Sequence, residues 1–292
     1  MSQSSHFHHL KEKWTQRHRD LQKNLLEKHK DSLEWLSHNS KQFMVSSLGG
    51  LLLLAAPGHA LLTAPQQIAS GHEMAAPLDK SVFLSSDLSS ALPPPSTPLS
   101  PQQEGKVIEI LKRNFGLNIS AEEDGIRLER NYGRIGAEQH LARYPGDTMA
   151  THFDNEADAR AHWSSGMAPG LGAWRYFAPS REQMTQEDVM KEKYYLAIQT
   201  FLAPGYNQNV SKFSPFFKHK KMLVVNPDNG KALVAVIGDA GPAQWTKKHL
   251  GGSPEVMHYL ERVDGAQVGS VVYFFIDDPQ NKVPLGPINI TQ

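Results

Sequence analysis

The rhythm of apolar and polar positions changes several times along this chain, and each change marks a different kind of segment. From His6 to His38 the residues Leu10, Trp14, Leu21, Leu25 and Leu36 recur at roughly helical spacing in an otherwise charged stretch. That pattern predicts a solvated helix with a narrow apolar stripe. Phe43 to Ala56 then reads FMVSSLGGLLLLAA, without a single charge. Its apolar core is shorter than the roughly 20 residues of a full membrane span. It suits the hydrophobic region of a signal sequence, with Gly58-His59-Ala60 as small residues near a cleavage point. Extended through Leu61 and Leu62, it makes a marginal signal anchor.

Residues 63–101 carry Ala, Ser, Pro and Gln and culminate in LPPPSTPLSP. Such composition favours extended or disordered chain, and it reads as a linker. Order is expected from near Gln102, where Val107, Ile108, Ile110, Leu111 and Phe115 predict an amphipathic helix stopped by Gly116. Short strand-like or turn-rich pieces follow, among them Ile126-Arg127-Leu128 and the run from Asn131 to Asp147. A short helix is expected from Asn155 to Trp163, capped by Asp154. Gly166 to Gly172 is a Gly/Pro-rich break.

Beyond the break the period shortens to that of strands. Leu196–Phe201, Lys221–Val225, Ala232–Ile237 and Ser270–Ile276 are β-branched or aromatic runs of strand length. Asn226-Pro-Asp-Asn-Gly230 is a tight turn by its chemistry, with Gly230 free to take positive φ. One short helix, Ser253 to Leu260, interrupts the set. Several short strands with one small helix predict a compact barrel. The expected organisation is a charged helical segment at 1–42, a signal or transmembrane segment at 43–62, and a linker at 63–101. A small mixed region at 102–165 and a β-barrel at 166–292 complete it, a mainly β chain with α+β additions.

Composition changes this picture in three ways. Thirty basic residues balance thirty acidic ones, which gives no surplus charge for displacing phosphate counterions, so nucleic acid is not an expected partner. Residues 1–42 hold eight Lys or Arg against five Asp or Glu, which keeps that end inside by the positive-inside rule. Cysteine is absent, and with it go disulfides, thiolate metal sites and Cys nucleophiles. The expected location is therefore extracytoplasmic, either membrane-anchored through the apolar segment or secreted, in a bacterial cell envelope.

The segment from Met222 to Ile276 carries a resemblance. It runs strand, N-x-x-N-G-K turn, strand, Gly238-Asp239-Ala240-Gly241-Pro242, loop, Ser-Pro-initiated helix and closing strand. This order resembles the double-psi β-barrel domain shared by rare lipoprotein A and the expansins, and the likeness covers about 55 residues closely. The Leu171-Gly-Ala-Trp174 stretch looks like the opening strand of that family. The resemblance implies a six-stranded double-psi β-barrel and a cell-wall polysaccharide partner, peptidoglycan in a bacterium. It also implies that Asp239, the Asp of D-x-G-P, is the general acid on a glycosidic bond, in the manner of a lytic transglycosylase. A carboxyl can protonate the leaving oxygen, and the oxocarbenium-like centre then collapses onto water or the sugar's own hydroxyl. The lipid-attachment Cys of rare lipoprotein A has no counterpart here.

His249 and His219 are the candidates to orient substrate or share the proton with Asp239. Trp245, Trp174 and Tyr195 are candidates to stack on sugar rings. Each has a plainer reading. Asp239 is also a turn-former, the histidines are also surface residues, and large aromatics also fill cores. A non-catalytic wall- or protein-binding module is thus the alternative to an enzyme. His152, Asp154, Glu156, Asp158 and His162 offer oxygen and nitrogen donors, but their alternation reads as a helix start with acidic first-turn residues, and no metal is expected. No dinucleotide loop, P-loop or zinc-protease helix occurs, and no cofactor is expected.

Overall fold

A computed structural model describes residues 80–95, 97–262 and 268–291. The charged N-terminal segment and the apolar segment at 43–62 lie outside the described residues. Among the described residues no helix is long and apolar enough to cross a membrane. In chain order the elements are helices α1 (Lys80–Ala91) and α2 (Pro101–Phe115), then the short strands β1 (Ile119–Ser120), β2 (Glu122–Glu123) and β3 (Ile126–Arg127). Strand β4 (Tyr132–Ala137) follows, with helices α3 (Met149–His152), α4 (Glu156–His162) and α5 (Gln186–Lys193). The remainder is β5 (Tyr195–Ile198), α6 (Val210–Phe217), β6 (Lys221–Val225), β7 (Ala232–Ala240), β8 (Leu250–Gly252), α7 (Pro254–Tyr259), β9 (Val268–Ile276) and β10 (Gly286–Ile288).

Six of these strands close on themselves. The circuit runs β4, β8, β5, β7, β6, β9 and back to β4. Two pairs in it, β4 with β8 and β5 with β7, are parallel, and the other four are antiparallel. Exchanging β4 with β7, β5 with β8 and β6 with β9 reproduces the same pairings with the same polarity. The barrel is therefore a pseudo-twofold repeat of two three-strand units, compatible with a double-psi barrel. β1 extends it beside β9, and β10 beside β7.

Period-2 alternation sends side chains to two different cores. Met222 and Val224 of β6 face the barrel interior with Leu233, Ala235, Ile237, Tyr273 and Phe275. Leu223 and Val225 face outward, into a second cluster with Val234, Val272 and Phe274. Helices α1 and α2 cover that outer face through Leu84, Leu88, Val107 and Leu111, all fully buried. Strands buried on both faces read as unbroken apolar runs. Removing one such leucine from water is worth about 1.5–3 kcal/mol.

α2 agrees with its sequence signals closely. Ser100 caps it in a reciprocal capping box with Gln103, Pro101 opens it, and Gly116 ends it at φ 65°. The Asn226–Gly230 turn also forms as expected, with Gly230 at φ 70°. A Cβ at Gly230 would stand 2.7 Å from the Ser81 carbonyl oxygen of α1, so the turn and that helix are fitted to each other.

Three expectations are corrected. Residues 80–91 are helix rather than linker, because Leu84, Leu88 and Ala91 at i, i+4 and i+7 supply a stripe that the barrel's outer face covers. The barrel takes its opening strand from Tyr132–Ala137, upstream of residue 166, while Leu171–Trp174 forms only an isolated bridge between Gly172 and Arg175. Asn155, not Asp154, caps α4, its side chain accepting from the Asp158 N–H.

Candidate functional site

The segment between β4 and β5 leaves the barrel wall, passes through α3, α4 and α5, and returns. Its inner side holds an unusual density of buried charge. His140, Arg143, His152 and Glu192 are each at most 2 % exposed. The Glu192 carboxylate, from the last turn of α5, is the hub. Its Oε2 accepts from Arg143 Nε at 3.0 Å, and its Oε1 accepts from the Leu141 N–H at 3.2 Å. His140 Nδ1 stands 3.4 Å from Oε1, and His152 Nε2 stands 3.1 Å from Oε2. Asp147 closes the ring, its Oδ2 lying 2.8 Å from His152 Nδ1 and accepting from the Arg143 N–H at 2.9 Å. Arg143 also donates to the His152 carbonyl at 2.6 Å.

Burial alone would raise Glu192, but His140, His152 and Arg143 outweigh it and hold the carboxyl well below the usual carboxylate range. Burial works against charge on His152 as well, yet Asp147 and Glu192 hold it up at about 9. Beside this network lies Glu255, in the first turn of α7, which burial and the nearby Glu192 push up to about 7. His140, His162 and His258 step outward from the network, with ring centroids 6.5 Å and then 5.4 Å apart. The last two line a cleft of about 340 Å³ with Glu138, Gln139 and Ser164.

The residues singled out from the sequence lie elsewhere and apart from one another. Asp239 ends β7 under the Gly172–Trp174 loop, its Oδ1 accepting from the Ala173 N–H at 2.6 Å and the Ala240 N–H at 2.8 Å. Oδ2 takes no hydrogen bond among the described residues. A Cβ at Gly172 would be tight, 3.2 Å from Leu141 Cδ1 and 3.3 Å from the Gly238 carbonyl oxygen. Trp245, just past the corner, is 84 % exposed. Trp174 is half-buried against the barrel interior.

Tyr195 is a core residue rather than a sugar platform. It is 1 % exposed and donates its hydroxyl to the Gln139 carbonyl at 2.5 Å. His249 lines a shallow cleft of about 180 Å³. Its Nδ1 accepts from the Arg134 N–H at 2.9 Å and its Nε2 faces Arg130 Nη1 at 3.0 Å. Burial and Arg130 push His249 below its usual value. His219 lines a different cleft, of about 480 Å³, with Glu187, Lys191 and Lys221. Its ring stacks on Phe177 at 5.5 Å. No hydrogen bond joins Asp239 to either histidine.

Sequence reasoning did not assemble the network. It left Asn131 to Asp147 without a role and placed His152 in a helix start, whereas His152 ends the preceding helix, α3. Nothing local in the sequence links positions 140, 152 and 192. The comparisons with known proteins add no name: no protein-family model matches the chain, and no curated protein matches it.

His219 gives an acid-sensitivity prediction. Burial, with Lys191 and Lys218 nearby, pushes it down to about 4, against a smaller opposing pull from Asp188 and Glu187. Below pH 6.5 the unfolded state binds this proton and the folded state resists it. The stability is therefore full above pH 6.5 and is lost as pH falls toward 4, by on the order of 2 kcal/mol. His219→Asn removes the titration and keeps a residue that tolerates the local φ of 57°. Urea unfolding at pH 7 and pH 4.5 should show a smaller difference for the variant. An unchanged difference would assign the acid sensitivity to other groups.

Proposed function

We propose that this chain is an exported or membrane-tethered envelope protein whose double-psi barrel, of the kind found in rare lipoprotein A and the expansins, engages cell-wall glycan. The sugar is taken at the rim around Asp239. The observation that carries the reading is an indole left 84 % exposed directly after the corner that presents Asp239. An exposed indole presents a flat apolar face with a polar N–H edge, and sugar rings stack on such faces. The half-buried Trp174 lies in the loop over Asp239. Oδ2 supplies a polar anchor for a sugar hydroxyl. Peptidoglycan is the wall polymer this reading commits to.

A second reading, in which Asp239 is the general acid of a lytic transglycosylase, is favoured by the same Oδ2, which takes no hydrogen bond among the described residues. Collapse of the oxocarbenium-like centre onto the sugar's own hydroxyl needs no nucleophilic carboxylate. The separation of His219 and His249 from Asp239 favours binding without chemistry. The two part on products. Full-length protein and its Asp239→Asn variant, incubated with purified peptidoglycan, are compared by mass spectrometry of the soluble fraction. The binding reading expects no released fragments from either protein. Anhydro-sugar ends released only by the unaltered protein would make Asp239 catalytic.

A further inference from the structure

We propose that His140, His152 and Glu192 form a buried binding site for a first-row divalent transition metal, of which zinc is the representative ion. The site shares no residue with the Asp239 rim and is independent of the glycan reading. The three side chains each bring one donor atom to within 4.8 Å of the others, all of them buried. Donors around a tetrahedral ion with bonds of about 2.0–2.1 Å lie about 3.3 Å apart, so a small rotamer adjustment closes the set. Two imidazoles and one carboxylate without thiolate are the donors that zinc, iron(II) and cobalt(II) accept.

Three features separate this cluster from an ordinary buried ion pair. His152 Nδ1 is held by the Asp147 carboxylate at 2.8 Å. That contact fixes the ring so that Nε2 faces inward, the carboxylate–histidine arrangement that orients metal ligands. His152 Nε2 then stands 3.1 Å from Glu192 Oε2 yet has no hydrogen-bond partner. Finally, His140 Nε2 and both oxygens of the neighbouring Glu255 are buried without partners. A proton on His152 alone leaves all three of those atoms unsatisfied.

Charge balance is consistent with this occupant. With metal-bound imidazoles neutral, Glu192 and Asp147 set two carboxylates against the one guanidinium of Arg143, and a bound cation offsets the excess. Arg143 donates to Glu192 Oε2 and the Leu141 N–H to Oε1, so either oxygen meets the ion with its remaining lone pair. The chain between β4 and β5 supplies all three ligands. The ion would therefore tie the excursion to itself, joining the stretch after β4 to α3 and α5, a structural role rather than a catalytic one.

The test is metal retention by the full-length chain, produced without an affinity tag, loaded with zinc sulfate and desalted. About one zinc per chain by mass spectrometry, with a thermal midpoint several degrees above the chelator-treated protein, is the expected result. His140→Ala and His152→Asn should each lose the retained zinc. The six histidines of residues 1–42 are the rival ligands. Replacing His6, His8 and His9 by Ala should leave retention unchanged. If the core variants fail to fold, the cobalt(II)-loaded unaltered protein decides, through the visible absorption of a four- or five-coordinate nitrogen–oxygen site. Retention abolished by the N-terminal replacements, or no retained zinc and no cobalt spectrum, would overturn the assignment.

Discussion

Glu192→Ala is expected to lower the stability of the chain by about 3–5 kcal/mol, the loss typical when one partner of a buried charge network is removed. The substitution deletes the acceptor of Arg143 Nε and of the Leu141 N–H, and it leaves Arg143 at 2 % exposure facing His152. The two cations then share the pocket with Asp147 and, 3.5 Å from Arg143, the exposed Asp154 against them. Urea titration in the presence of a chelator isolates this effect from any metal contribution. The exposed Glu156–Arg160 pair of α4 is the control, since pairs of that kind contribute little. A Glu192→Ala midpoint as close to the unaltered protein as that of Glu156→Ala would show that the network carries no stability.

Trp245→Ala is the second large expected effect, and it falls on binding rather than folding. An aromatic anchor in a recognition site is worth about 2 kcal/mol or more, so affinity for soluble glycan strands should fall about 30-fold. The side chain is 84 % exposed, so the thermal midpoint should not move. Tyr195→Phe should behave in the opposite way. Its ring is buried and its hydroxyl is committed to Gln139, so stability drops by about 1 kcal/mol while glycan affinity holds. Calorimetric binding and thermal unfolding of both variants check the pair. Loss of affinity in Tyr195→Phe with none in Trp245→Ala would place the sugar elsewhere.

The parts of the barrel that were legible are those whose strands are apolar on both faces. Lys221–Val225 and Ala232–Ile237 announce themselves because Leu223 and Met222 are both buried, on opposite sides of the wall. Strand β4 does not, since Tyr-Gly-Arg-Ile-Gly-Ala has weak strand propensity. Its conformation comes from pairing with β9 on one side and β8 on the other, contacts between residues far apart in sequence. Leu250-Gly-Gly252 is hidden for the same reason, and so reads as a loop.

The candidate sites divide along similar lines. The Asp239 corner is visible because its turn chemistry is local. The network around Glu192 is invisible because its members come from the stretch after β4, from α3 and from α5, and only the return of the chain brings them together. Helix α1 fails from the sequence for a different reason. Its Ser-rich composition outweighs two leucines until the face that covers them is known.

Co-sedimentation of the full-length chain, in mild detergent, with purified peptidoglycan tests the central claim most directly. Saturable pelleting that soluble glycan strands compete away, and that Trp245→Ala weakens, is the predicted result. Protein that stays in the supernatant at every concentration of wall, while remaining folded, would contradict it.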